Sequence, residues 1–210
     1  GLRQIQDPPL LVAIPAGPVA LQAFLQSWED NPLLTSGGLL LLGLGGSLIP
    51  EYGVTDSVIL ENVWDGLSDR NLPPHTSDRS LIDWLSQRLP EAALGTGLTC
   101  DHVVTTAVEK QQLRDRYQVD VVDMESAVFL AQNPTGKLAV LRVISDDCKH
   151  DLPNIANAIG ADGSIQPLPL ALKFIQRPLA AARLISGSLK GLKTLEIMTT
   201  KLFNPGSPSP

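Results

Sequence analysis

The sequence predicts an α/β domain built on a mixed, mainly parallel sheet. Short apolar runs bounded by Gly, Pro, Asn or Asp alternate along the chain with amphipathic stretches of helical length. Hydrophobic residues make up 43% of the 210 and charged residues 18%, enough to bury one core, so the chain reads as a single domain over 1–210. Polar constellations follow three predicted strands, at Gly43–Ser47, Asp123–Ser126 and Ser145–Asp147. Ligands of open α/β sheets bind beyond the carboxyl ends of the strands, so three such sites on one edge predict a shared pocket.

The elements follow in order. Leu10 to Pro15 reads as a buried strand, and Pro18 suits the first turn of a helix running to about Trp28. Residues 31–38 form a turn region. Leu39 to Leu44 is a second buried strand, ending in the glycine-rich turn Gly43-Leu44-Gly45-Gly46. A strand over 54–63 precedes a surface loop over 66–77. Ser77 or Asp78 caps a helix from Arg79 to Leu89, and a strand covers 97–104. Thr106-Ala-Val-Glu109 fits a capping box, opening a helix to about Tyr117. Val119 to Val122 is a short strand, Met124 to Gln132 a small-residue helix and Leu138 to Ile144 a strand. Residues 153–169 read as irregular. The chain is then helical to about Leu202, with a break near Ser186-Gly187, and 204–210 reads as a disordered tail.

Composition excludes several functions. Residues 1–170 carry ten basic and 21 acidic side chains, an acidic body that argues against nucleic acid as a partner. Residues 171–210 reverse the sign, with six basic residues and one acid. His75, His102 and His150 are scattered, so no zinc spacing and no metal site is expected. Cys100 and Cys148 make no disulfide framework and read as small buried hydrophobes in a reducing compartment. The longest apolar run, Leu39 to Leu44, is too short to span a bilayer, and Gly1-Leu2-Arg3-Gln4 lacks a secretory pattern. The expected location is the cytoplasm or the membrane surface facing it.

Each constellation has a structural and a chemical reading. Glycines after a strand let backbone N–H groups approach a ligand, or simply make a tight turn. Gly43, Gly45 and Gly46 have neither dinucleotide nor Walker spacing. Asp123 reads as an N-cap. Glu125 is less well explained that way if it faces the strand edge. Ser145-Asp146-Asp147 puts a carboxyl group on a pocket rim, or caps a turn. Arg142, inside a buried strand, requires an acidic partner, with Asp123 or Asp147 as the candidates.

Together these segments resemble the purine and uridine phosphorylase family, which includes the methylthioadenosine/S-adenosylhomocysteine nucleosidases. The resemblance rests on Gly43-Leu-Gly-Gly-Ser-Leu-Ile-Pro-Glu-Tyr-Gly-Val-Thr-Asp56, Leu98-Thr-Cys-Asp101 followed by Lys110, Val122-Asp-Met-Glu-Ser126 and Arg142-Val-Ile-Ser-Asp146. It spans roughly residues 39–150. It implies a three-layer α/β/α fold, a homo-oligomer, and cleavage of the N-glycosidic bond of a purine nucleoside or adenosyl compound; the alternative is a non-catalytic nucleoside-binding or membrane-associated protein on the same fold. Glu125 would accept hydrogen bonds from the ribose hydroxyls, Met124 would pack on the sugar, and Gly43, Gly45, Gly46 and Ser145 would line the substrate. Asp146 would be catalytic, sharing or donating a proton at N7 of the leaving base, which requires burial to keep the carboxyl protonated or sharing a proton.

The sequence departs from the family at the nucleophile. Ala16 to Ala23 carries no acid to activate water, and Gly17 is followed by no arginine before Arg70. Leu44 and Ser47 stand where the family has smaller residues. Phosphorolysis is therefore expected over hydrolysis, with inorganic phosphate as co-substrate, no other cofactor, and phosphate held by backbone amides at Gly17 and Gly45. Arg70 and Arg79 are phosphate candidates by position only. The C-terminal region 168–202 reads as basic and amphipathic, either a core cover or a peripheral membrane contact. The hopanoid-associated phosphorylases are similar in this tail, which implies an adenosyl group on a hydrophobic polycycle as a substrate.

Overall fold

The computed structural model describes residues 9–28, 38–68, 72–132, 137–153, 174 and 176–203. The expected turn over 31–37, Arg70, most of the irregular segment 153–169, the start of the C-terminal helical region and the tail 204–210 lie outside the described residues. The elements run α1 (Pro18–Gln26), β1 (Gly38–Ser47), β2 (Ser57–Asp65), β3 (His75–Thr76), α2 (Arg79–Arg88) and β4 (Ala93–Thr99). They continue with α3 (Ala107–Tyr117), β5 (Val121–Asp123), α4 (Ser126–Gln132), β6 (Lys137–Asp146) and α5 (Pro178–Phe203).

The strands form one sheet in the order β3-β2-β4-β5-β1-β6, and β2 pairs again with β6, so the sheet closes on itself. The β1–β6, β2–β4 and β4–β5 ladders are parallel. The β1–β5, β2–β3 and β2–β6 ladders are antiparallel. The α/β class and the mainly parallel sheet are as the sequence predicts.

Strand alternation builds two cores from the same strands. On β6, Leu138, Val140 and Ile144 face one cluster, together with Ala127 and Leu130 of α4. The intervening Ala139, Leu141 and Val143 face the other, with Ile82 and Leu85 of α2 and Met198 and Leu202 of α5. Helices therefore cover both faces, giving the three layers.

Capping chemistry places two helices as expected. Asp78 Oδ1 accepts from the Leu81 amide at 3.1 Å, and Thr106 Oγ1 accepts from the Glu109 amide at 3.2 Å. Three expectations are corrected. Residues 10–15 form no strand, and Leu10 and Leu11 are exposed. Pro9 and Pro15, at the two ends of the segment, have no N–H to give a ladder. Second, Gly43, Gly45 and Gly46 lie within β1 rather than in a turn after it. Third, no break occurs at Ser186-Gly187, where α5 runs unbroken. Gly187 is there for close approach, because a Cβ on it would overlap the Ser145 carbonyl at the end of β6.

Candidate functional site

The carboxyl end of β5 carries a buried ionic network. Asp123 caps α4, its Oδ1 accepting from the Glu125 and Ser126 amides at 3.2 Å each and from Thr99 Oγ1 at 2.8 Å. Arg142 reaches across from β6, only 3% exposed, and donates from Nε to Asp123 Oδ2 at 2.7 Å. Its Nη2 donates to Glu125 Oε2 at 3.2 Å and to Ser126 Oγ at 3.1 Å. The partner expected for Arg142 is thus Asp123, joined by Glu125, and not Asp147. Gly43 serves this network: a Cβ there would overlap the Arg142 guanidinium.

The second half of the site lies at the end of β6. Ser145 Oγ donates to Asp146 Oδ1 at 2.7 Å and to the Gly45 carbonyl at 3.3 Å. Asp146 Oδ2 accepts from Lys110 Nζ of α3, which also donates to the Asp147 carbonyl at 2.7 Å. A cavity of about 170 Å³ joins the two halves, with Gly45, Gly46, Met124, Glu125, Ser145 and Asp146 on its wall. A second cavity of about 420 Å³ shares Ser145 and Asp146 and extends to Val54, His150, Arg183 and Lys190. Asp146 therefore stands between two openings.

Three expected residues fall elsewhere. Gly43 lies over Arg142 and does not line the cavity. Gly17 caps α1 with φ +91°, and its N–H donates to Glu125 Oε1 at 2.9 Å, so that amide is already committed. It orients the carboxylate instead of an anion. Arg79 pairs with Glu61 and Asp83 at the start of α2, beside the amino end of β6 and away from Asp146.

Sequence reasoning assigned no role to Lys110, His102 or Thr99. His102 lines the small cavity, with its ring nitrogens on Asp101 at 2.5 Å and Glu109 at 2.8 Å. Those carboxylates, Asp101 first, raise its pKa above the ordinary histidine value. Lys110 is the one fully buried side chain of α3, on the face where Leu113 and Tyr117 pack against the core, and its charge hides that inward position in the sequence. Cys100 is inert as expected: burial first, then the charges of Asp123, Asp101 and Glu109, push its thiol up to about 12. Among the described residues no group of three His, Cys, Asp or Glu is placed to hold a metal.

No family model matches the sequence, and no curated protein matches it. Solved structures do. The S-adenosylhomocysteine nucleosidase of Streptococcus pyogenes, in complex with 5-methylthiotubericidin, matches with a TM-score of 0.61 and 18% identity over 91% of this chain and 77% of its own. The 5′-methylthioadenosine/S-adenosyl homocysteine nucleosidase of Helicobacter pylori matches with a TM-score of 0.59 and 17% identity over 89% and 77%. The futalosine hydrolase of the same organism matches with a TM-score of 0.55 and 18% identity over 87% and 76%. The chain has the nucleosidase fold. The implied nucleoside phosphorylase-like architecture is therefore found in the structure, and at this level of identity the likeness is one of fold.

Proposed function

We propose that this protein cleaves the N-glycosidic bond of a purine nucleoside or adenosyl compound. The observation that carries the reading is the small cavity with Glu125 and Asp146 on one wall. Glycosidic cleavage builds positive charge on the sugar and negative charge on the base. Glu125, held by Arg142 and the Gly17 amide, retains lone pairs for the ribose hydroxyls and favours the cationic sugar. Asp146, held by Ser145 and Lys110, delivers a proton to the departing base, a contribution of roughly 10²–10⁴-fold. That the solved proteins sharing the fold are named nucleosidases and a hydrolase supports the reading.

Phosphate is the nucleophile we propose, because α1 carries no acid to draw a proton from water. The test is free-base release from methylthioadenosine, S-adenosylhomocysteine, futalosine, adenosine and inosine, with and without phosphate, beside Asp146→Asn. Release that requires phosphate and falls at least about 100-fold in the variant is expected. Phosphate-independent release would make water the nucleophile, as in the named hydrolase. No release from any of them would count against the reading.

Peripheral membrane contact through α5 is a further part of the proposal. Ile185, Leu189 and Leu192 are exposed on this helix beside Lys190 and Lys193. Among the described residues no helix is long and apolar enough to cross a membrane. A homo-oligomer, implied by the resemblance, is proposed with it; light scattering on the purified chain tests it, and a monomer mass would remove it.

A further inference from the structure

The glycosidase reading gives Lys110 only the task of holding Asp146. The Lys110 side chain is fully buried, the largest to be so among the described residues. Lysine is almost never buried to this extent without a partner that compensates the lost hydration. Here the ammonium group sits against Asp146 Oδ2 and the Asp147 carbonyl. Gly46 makes room for the pair, since a Cβ there would stand 2.9 Å from Asp146 Oδ2 and 3.4 Å from Lys110 Nζ. Asp146 is 13% exposed, and its other oxygen accepts from the Ser145 hydroxyl. Other titratable groups surround the pair. His102 and Glu109 bond each other across the cavity rim, and His150 bonds the Asp147 carboxylate at 2.9 Å. Arg183 and Lys190 of α5 line the larger cavity.

We propose that Lys110 is the proton source for the leaving base, acting through Asp146. The inference rests on the glycosidase reading. The C1′–N9 bond breaks with its electron pair going to the base. A proton passes from Lys110 Nζ to Asp146, and the Asp146 carboxyl gives a proton to N7. Lys110 is left as a neutral amine. The nucleophile, water or hydrogen phosphate, forms the new C1′–O bond and releases the proton that restores the ammonium. Asp146 thus passes on a proton that Lys110 supplies. Lys110 is a positioning residue in this scheme, since it touches Asp146 and not the substrate.

The test compares two substrates: the purine nucleoside that wild-type protein cleaves fastest, and its N7-methylated counterpart, whose base is cationic before the bond breaks, leaves as a neutral purine and needs no proton. Lys110→Arg keeps the charge and the donors but does not give up a proton. Release from the ordinary nucleoside is expected to fall by about 100-fold or more. Release from the methylated one should stay near the wild-type rate. Circular dichroism and Tm establish that the variant folds. Equal effects on both substrates, including none on either, would overturn the relay and leave a structural ion pair. A second variant, Lys110→Gln, carries the test if the arginine variant does not fold: the same unequal loss on the two substrates is expected, and equal losses would overturn the proposal. Wild-type protein inactive on both substrates would overturn the glycosidase reading itself, an outcome distinct from unequal or equal losses in the variant.

Discussion

Arg142 is the residue on which the site's geometry depends. It holds Asp123 and Glu125 together from beneath β1, and the side chains of Arg142 and Asp123 are 3% and 2% exposed. Removing one member of such a buried network leaves uncompensated charge, which costs about 3–5 kcal/mol. Arg142→Met should lower urea-unfolding stability by that order, and a loss under about 1 kcal/mol would show that the network is not desolvated as described. His102 carries a pH dependence of known sign. Its hydrogen bonds to Asp101 and Glu109 raise its folded pKa, so its contribution to stability is complete below the unfolded value of about 6.5. That contribution is lost as pH rises through the raised folded value. The Tm difference between wild type and His102→Gln should be largest near pH 6 and shrink toward pH 9. A difference that grows with pH would contradict the assignment. At this scale the sequence was informative where residue type limits the options. A lone arginine in an apolar strand demands an acid, and two acids at a strand end supply it. Lys110 figured in the family resemblance, but its pairing was illegible, because a helical lysine reads as solvated until the end of β6 is placed against it.

Close approach of α5 to β6 decides the shape of the larger cavity. Gly187 and Gly191 lie one helical turn apart on the face that meets Ser145 and Leu44. Replacing a mid-helix glycine by alanine ordinarily stabilises by about 0.5–1 kcal/mol. Here the added methyl meets backbone, so Gly187→Ala should instead destabilise by about 1–3 kcal/mol. Base release should fall with it, because Ser145 and Asp146 must shift. Urea unfolding beside the exposed Ser186→Ala measures this; a neutral or stabilising result would mean that α5 docks less tightly. The helix break expected at this point misread a packing glycine as a terminating one. Local sequence does not distinguish the two, since both are a small residue in a helical pattern. The same ambiguity hid the glycines of β1, which make room for Arg142, Asp146 and Val121 rather than forming a turn.

Charge over the whole molecule is segregated, with an acidic body and a basic C-terminal region. The basic residues Arg183, Lys190 and Lys193 accompany exposed apolar residues on α5, and each basic residue near an anionic bilayer contributes about 1 kcal/mol. Co-sedimentation with liposomes containing phosphatidylserine is therefore expected, weakening as salt is raised. Liposomes of neutral lipid should capture less. No binding to either would remove membrane contact from the proposal.

The sequence by itself determined the α/β class, the order of most elements and the three polar segments that meet at one edge. These follow from hydropathy period, capping residues and turn chemistry, all of which act over a few neighbours. The tertiary structure alone decided that β2 closes the sheet onto β6, that residues 10–15 form no strand, and that Gly17 serves Glu125. It also decided that Asp146 pairs with a buried lysine. Each depends on which surfaces are already occupied when distant segments meet, and a strand or a charged side chain carries no local mark of the neighbour it will find.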